Sequence, residues 1–104
     1  MDEFRVKIID AIETATYQRK LISKEDGKPY IGFFYKDIVK ILEETESHDS
    51  KLKRKIKKEL NLLIEKEELL FLHTGPLCFI IAKEDYAILD FDEVELKWGI
   101  SLKP

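Results

Sequence analysis

The residues whose chemistry stands out most are the basic side chains at positions 51–58. Six of these eight residues are Lys or Arg and none is acidic, in a chain of 18 basic and 21 acidic residues with a net charge of −3. One third of the positive charge therefore lies in one short run, and the rest of the chain is strongly acidic. Leu52 and Ile56 interrupt the run at a spacing of four, which predicts a helix rather than a disordered tail. A helix with such a surface could bind an anion.

The two histidines, His48 and His73, are weaker candidates for chemistry. Neither has a cysteine or carboxylate at a spacing typical of metal sites. His48 precedes Asp49 in a polar connector, where this pair is better suited to capping a helix or contacting a phosphate than to catalysis. The four glycines are isolated from one another, so the sequence contains no glycine-rich phosphate-binding loop.

Acidic residues form two clusters that could supply acid–base groups. The first is at the end of the basic segment, and the second is near the C-terminus. Neither cluster is accompanied by a partner nucleophile or the signature of a pocket, which favours solvated surface over catalysis. The sequence therefore predicts no enzyme, no metal site and no bound cofactor. The clustered acids are Glu65, Glu67 and Glu68 in the first group, and Asp85, Asp90, Asp92, Glu93 and Glu95 in the second.

Length and composition indicate a single domain over residues 1–104. The chain is 44% hydrophobic and 11% aromatic, which is ordinary for one globular core and too rich for a disordered chain. The longest apolar run, residues 77–82, is far shorter than the ~20 residues of a membrane span. The acidic N-terminus is not typical of a secretory signal, and a single cysteine excludes an intramolecular disulfide. We therefore expect a cytoplasmic protein with no membrane contact and with Cys78 as a small buried residue.

Hydrophobic spacing predicts the elements that precede the basic run. Residues 3–18 and 35–46 each carry one apolar stripe at helical spacing, so each is predicted to be an amphipathic helix. Residues 23–29 contain an Asp-Gly turn signal and a proline, and we predict a loop there. Residues 30–33 are short and aromatic, which favours a brief strand.

The basic run is the first half of a third predicted helix, over about residues 50–67. Asp49 or Ser50 is expected to cap its N-terminus. Its first turns carry cations at the positive end of the helix dipole, which is mildly destabilising, and an anionic ligand would explain that placement. The side chains expected to face the core are Leu52, Ile56, Leu60 and Leu63.

The period of the apolar pattern then changes to that of strands. Residues 69–73 and 77–82 are predicted to form a β-hairpin around a tight turn at residues 74–76. Both faces of this hairpin are apolar. In a hairpin with one solvent-exposed face, apolar and polar residues should alternate along each strand. Something must therefore cover the second face. We expect residues 86–102 to do so, although a partner subunit could also supply the cover.

The form of this C-terminal segment is ambiguous in the sequence. Phe91, Val94 and Trp98 have helical spacing, whereas Val94, Leu96 and Trp98 alternate as in a strand. Tyr86 and Trp98 either pack over the hairpin or form an interface, because aromatic residues are enriched at interfaces. We favour a homodimer through this segment.

The order of these elements resembles that of the winged-helix family. Residues 53–70, KRKIKKELNLLIEKEELL, look like the recognition helix of that family running into the first strand of its wing. The family usually has Gly in the turn where Glu67 stands here. The resemblance covers roughly residues 4–82. It implies an α+β fold with a three-helix core and a β-hairpin wing over residues 3–82, and a C-terminal extension, residues 83–104, that packs on the hairpin.

The resemblance also implies a function, since DNA-binding members of the family place the third helix in the major groove. The chain is therefore expected to be a small DNA-binding protein and a transcriptional regulator. Arg54 is of the type that hydrogen-bonds to the edge of a guanine base, and Asn61 is of the type that hydrogen-bonds to the edge of an adenine base. The lysines are expected to contact phosphates. The predicted wing tip carries no cation, so the helix should supply most contacts. The residues expected to bind double-stranded DNA are Lys51, Lys53, Arg54, Lys57, Lys58 and Asn61.

The alternative is a winged-helix module that binds another protein and has no affinity for DNA. The net acidic charge, the uncharged wing tip and the apolar C-terminal segment favour it, and winged helices serve both roles. The position of residues 86–102 discriminates between the two functions. If this segment leaves the basic helix open, DNA binding is favoured. If it covers the basic helix, the interaction module is favoured.

Overall fold

The architecture of the protein was obtained as a computed structural model, which describes residues 2–46, 50–74 and 77–102. The mixed α+β class predicted from the sequence is confirmed. His48, Asp49, Gly75 and Pro76 lie outside the described residues. The elements in chain order are α1 (Glu3–Asp26), α2 (Tyr35–Thr45), α3 (Leu52–Glu65), β1 (Leu69–Thr74), β2 (Leu77–Ala82), α4 (Lys83–Ala87) and α5 (Phe91–Trp98).

Helix α1 is longer than predicted. Asp2 caps it by accepting a hydrogen bond from the backbone N–H of Phe4. The helix continues through Ser23, and the predicted loop over residues 23–29 was therefore wrong in its first half. It ends only at Gly27, which adopts the left-handed conformation with φ 68°. Polar residues such as those after Ser23 propagate an existing helix at little cost, so they do not end it as Gly does.

Helices α2 and α3 pack against α1 around the main hydrophobic core. The predicted apolar stripes of both helices are confirmed, since Ile38, Leu42, Leu52, Ile56 and Leu60 are all buried in this core. Leu63 is partly buried against the same core.

The predicted cap of α3 was wrong at Ser50. The N-cap position is Lys51, which makes no side-chain capping hydrogen bond, and the first turn has no acidic residue. Tertiary burial of the apolar face therefore stabilises this helix more than its own terminus does.

A tight turn at Glu67 connects α3 to the hairpin. The N–H of Glu68 bonds to the carbonyl of Leu63, and the N–H of Glu67 bonds to that of Ile64, both at 3.0 Å. This is the Schellman arrangement, which requires a left-handed residue after the helix. Glu67 is that residue, with φ 61°, so the chain makes the turn without the glycine that usually relieves its steric cost.

The hairpin is antiparallel and pairs Leu69 with Ala82 and Thr74 with Leu77. The strand predicted over residues 30–33 is reduced to a single bridge between Phe33 and Ile80, with backbone hydrogen bonds of 2.8 and 2.7 Å. Gly32 permits this approach, because a Cβ at that position would lie 2.5 Å from the carbonyl oxygen of Ile80. The hairpin therefore docks on the segment between α1 and α2.

The two faces of the hairpin are covered from different sides. Leu69 and Ile80 belong to the main core, whereas Phe79 lies in a second cluster with Val94 and Leu102. The expectation that the C-terminal segment covers the second face is thus confirmed, and its central part is the helix α5 rather than a strand. No helix within the described ranges is long and apolar enough to span a bilayer.

Cys78 corrects another expectation, because its side chain is exposed rather than buried. It pairs across the hairpin with His73, which is also exposed. Both residues lie near the turn end of the hairpin. The apolar run around Cys78 predicted the strand correctly but could not show how far along it the core extends.

Candidate nucleic-acid interface

Packing and hydrogen bonds to both neighbouring helices hold α3 in place. Its apolar side packs in the main core through Ile56, which is fully buried. The hydroxyl of Tyr35 in α2 donates a hydrogen bond to the backbone carbonyl of Lys53 at 3.0 Å. The Nε–H of Arg5 in α1 donates to the carboxylate of Glu59 at 3.0 Å. Both neighbouring helices therefore fix the orientation of α3, and with it the side that faces solvent.

The Arg5–Glu59 ion pair was not predicted from the sequence. The two partners are separated by 54 positions in the chain, and Glu59 is only 9% exposed. Its place beside the apolar stripe at helical spacing was the available signal of burial. Glu59 is therefore directed into the molecule, where its carboxylate pairs with Arg5. Its negative charge does not lie on the outer face of α3.

The structure brings Arg54, Lys57, Lys58 and Asn61 together on that outer face. All four are exposed, and they line a shallow crevice of about 370 Å³. We call these four residues the basic face. Lys51 and Lys53 are also exposed, but they flank the face at the beginning of the helix and do not line the crevice.

Two further residues of the crevice, Leu62 and Glu65, were not assigned to it from the sequence. Glu65 follows Asn61 by four positions, so helical spacing places it on the same side. An acid at the C-terminal end of the basic face makes that end unfavourable for an anion. The attractive part is therefore the first two and a half turns of α3.

The ionic environment of the basic face differs from that of four of the five cations in α1. Arg5, Lys7, Arg19 and Lys20 each contact a carboxylate. Among the residues that the structure describes, no carboxylate lies within 4.0 Å of the charged groups of Arg54, Lys57 and Lys58. Within that part of the chain, three cations thus stand close together on one exposed helical surface without neutralising partners, although the protein has an excess of acids.

The C-terminal segment leaves the basic face uncovered. Its buried residues Val94 and Leu102 pack with Phe79 on the hairpin, in a cluster to which the described residues of α3 do not belong. Tyr86 packs against Phe91 with ring centroids 5.6 Å apart. The indole of Trp98 is held against the chain by a hydrogen bond to Pro29. The two aromatic residues expected at a dimer interface therefore make contacts within their own chain.

Within the part of the chain that the structure describes, the remaining candidates for chemistry do not assemble into a second site. Across residues 2–46, 50–74 and 77–102, no group of three or more His, Cys, Asp and Glu side chains could hold a metal ion. His73 lies exposed on β1. His48, a candidate for a phosphate contact, lies outside the described residues.

One charged cluster has a structural role between α1 and α2. Arg19 donates two hydrogen bonds to the Asp37 carboxylate, at 2.8 and 2.7 Å, and the N–H of Phe34 donates a third at 2.9 Å. Burial opposes ionisation of this carboxyl, but the hydrogen bonds and the charge of Arg19 lower the pKa of Asp37 below its ordinary value. The guanidinium of Arg19 also lies 4.7 Å from the ring centre of Phe34. This cluster fixes the start of α2.

Comparison with known proteins identifies no relative: no family model matches the sequence, no curated protein matches it, and no solved structure matches the fold.

Proposed function

We propose that this chain is a small winged-helix DNA-binding protein, a transcriptional regulator that reads double-stranded DNA with α3. The observation that carries the proposal is the cluster of exposed cations Arg54, Lys57 and Lys58 on one face of a rigidly held helix, without carboxylate partners in the described part of the chain. A helix placed in the major groove contacts phosphates with its cations and base edges with its central side chains.

The spacing of the basic face suits this role. Arg54 and Asn61 are seven residues apart, which is about 10.5 Å along the helix axis, or about three base pairs at 3.4 Å each. In this arrangement Arg54 contacts a guanine edge and Asn61 contacts an adenine edge. Lys57 and Lys58 contact phosphates, with Lys51 and Lys53 at the beginning of the helix.

The architecture supports the winged-helix assignment through its element order and through the turn at Glu67. Three helices precede an antiparallel hairpin, and the hairpin lies directly after the basic helix. The left-handed conformation of Glu67 occurs at the position where the winged-helix family usually has Gly. The open basic face favours DNA over the alternative role as a module that binds another protein, since the C-terminal segment packs on the hairpin and away from α3.

The proposal is tested by fluorescence anisotropy with random duplex DNA over a salt series. The wild type is compared with the triple variant Arg54→Ala, Lys57→Ala, Lys58→Ala. A matched control, Lys40→Ala, Lys83→Ala, Lys97→Ala, removes the same charge at exposed positions on other helices. The expected wild-type slope of log affinity against log salt is negative, and it flattens by about 0.9 for each phosphate that the α3 variant no longer neutralises.

The control variant keeps most of the salt slope if DNA lies on α3. Equal losses in the two variants would mean that only net charge matters, which contradicts the proposal. An absence of binding by the wild type at low salt would also contradict it. A protein partner would then be sought for the basic face.

A further inference from the structure

Helix α1 has exposed apolar residues on the side opposite to the one that packs in the core. One side packs in the main core through Ile8, Ala11 and Ala15. At 100° per residue, the opposite side carries a row of four further apolar residues within an arc of about 120°, which also includes Asp10, Glu13, Lys20 and Lys24. We call this row the outer stripe; it consists of Val6, Ile9, Tyr17 and Leu21, whose residues are 41%, 37%, 65% and 44% exposed.

The outer stripe distinguishes α1 from α2 and α3. In the described residues, α2 and α3 have no large hydrophobic residue among those that are exposed. Their solvent sides are polar, as expected for helices with one buried face. Scattered exposed apolar residues need no explanation, but these four share one side of one helix, as two pairs separated by Asp10 and Glu13, and exposed apolar side chains bordered by charges mark an interaction surface. The stripe extends about 22 Å from Val6 to Leu21.

The charged residues interspersed with the outer stripe indicate what covers it. Asp10 and Glu13 lie on this side in the N-terminal half of α1, and Lys20 and Lys24 lie on it in the C-terminal half. A second α1 packed antiparallel brings the acids of each copy beside the bases of the other. A parallel arrangement would place like charges together and be unfavourable.

We propose that the outer stripe is the interface of a twofold-symmetric homodimer in which two α1 helices pack antiparallel. With the axis at the level of Ala15, Ile9 of one copy is level with Leu21 of the other. In the same register, Asp10 is level with Lys20 of the second copy, and the two Tyr17 rings flank the axis. One patch thus serves both subunits, as twofold symmetry requires.

Helix α4 borders this interface. Lys20 contacts Asp85 of α4 at 3.2 Å and retains 49% side-chain exposure, so it can approach a second carboxylate at the dimer boundary. The contact is made at the edge of the stripe, and the exposed apolar side chains remain available. The proposal concerns a surface separate from α3 and does not depend on DNA binding.

Sedimentation equilibrium of the full chain without DNA tests the dimer. The wild type is expected to dimerise, and the variant Tyr17→Glu, Leu21→Glu to dissociate with a Kd raised more than about 100-fold. The matched control is Leu96→Glu, at an apolar position of α5 that is 79% exposed. Circular dichroism verifies that each variant is folded. A control that dissociates equally, a stripe variant that stays dimeric, or a monomeric wild type at millimolar concentration would each overturn the proposal.

A charge-swap series tests the antiparallel arrangement without altering apolar residues. The double variant Asp10→Lys, Glu13→Lys leaves only basic residues at the four charged positions named on this side of α1. It is therefore expected to weaken association. Adding Lys20→Glu and Lys24→Glu to the same chain restores complementarity and is expected to restore the dimer. Both variants also carry Asp85→Asn, because Lys20→Glu would otherwise place a second carboxylate beside that of Asp85. Failure of the full charge-swap variant to recover association would overturn the antiparallel arrangement.

Discussion

The indole N–H of Trp98 donates a hydrogen bond to the carbonyl oxygen of Pro29 at 2.7 Å, across 69 positions of the chain. The ammonium of Lys28 lies 4.7 Å from the centre of the same ring system. Trp98 thereby joins the end of α5 to the segment that follows α1. The C-terminal segment consequently covers the hairpin from within its own chain, and it leaves α3 exposed.

Removing this hydrogen bond should weaken the fold modestly. We expect Trp98→Phe to lower the free energy of unfolding by about 1–2 kcal/mol, because the Pro29 carbonyl loses its donor while an aromatic ring still fills the site. Urea denaturation measures the change. The control Leu96→Ala, at an exposed position of the same helix, should stay within about 0.5 kcal/mol of the wild type. An equal loss in both variants would mean that the hydrogen bond contributes nothing specific.

The turn at Glu67 offers a stabilising substitution. A left-handed residue with a Cβ costs about 1–2 kcal/mol, whereas Gly adopts this conformation freely but loses more chain entropy on folding. We expect Glu67→Gly to raise the free energy of unfolding by about 0.5–1 kcal/mol, measured by urea denaturation. Glu68→Gly, at the next residue, is the control and should destabilise. A loss of stability in Glu67→Gly would show that the carboxylate has a role that outweighs the backbone cost.

Much of this fold could be predicted from local pattern, and the failures have physical causes. The bounds of β2 and the core stripe of α3 follow from hydrophobic period alone, which is a property of neighbouring residues. The end of α1 depends on where a left-handed residue first becomes available, at Gly27. The burial of Glu59 depends on Arg5, a partner 54 positions away, and sequence spacing contains no such information.

The candidate site, like the fold, could be predicted only as far as local spacing determines it. Helical spacing places Arg54, Lys57, Lys58 and Asn61 on one side of α3, and the structure brings them together. That these cations lack carboxylate neighbours among the described residues could not be predicted, because it depends on which acids the tertiary fold brings near. The exposure of Cys78 depends in the same way on how far the cores extend along the hairpin.

Gly32 is required by the close contact between its segment and β2. Its φ of 133° is unfavourable for other residues, and a Cβ would lie 2.5 Å from the Ile80 carbonyl oxygen and 2.9 Å from the Phe79 ring. We expect Gly32→Ala to destabilise the protein by about 2–4 kcal/mol, from backbone strain and overpacking together. Thermal and urea unfolding measure the loss. Gly27→Ala is the control for backbone strain alone, because its Cβ would meet no atom within 4 Å; an equal loss there would remove the packing argument.

The lowered pKa of Asp37 predicts how stability depends on pH. Because the folded state holds the carboxylate ionised more strongly than the unfolded state does, this contribution is complete above the unfolded pKa of about 3.9. It is lost as the pH falls through the lower folded value. Asp37→Asn should cost about 1.5–3 kcal/mol at neutral pH and flatten the acid side of the stability profile. Urea unfolding over a pH series measures this, with Glu43→Gln at an exposed position of the same helix as the control; an unchanged acid slope in Asp37→Asn would contradict the assignment.

The beginning of α3 should show a conflict between stability and DNA binding. Lys53 and Arg54 lie in a first turn without acidic residues, where each cation opposes the helix dipole by about 0.3–1 kcal/mol. Substituting both by Gln, which has similar helix propensity, should raise the free energy of unfolding while reducing DNA affinity. The pair Lys57→Gln and Lys58→Gln, farther from the terminus, should reduce affinity without the gain in stability. Urea denaturation and anisotropy separate the two effects. If the first pair gained stability with no loss of affinity, these cations would have no role in DNA binding, and their unfavourable position would need another anion to explain it.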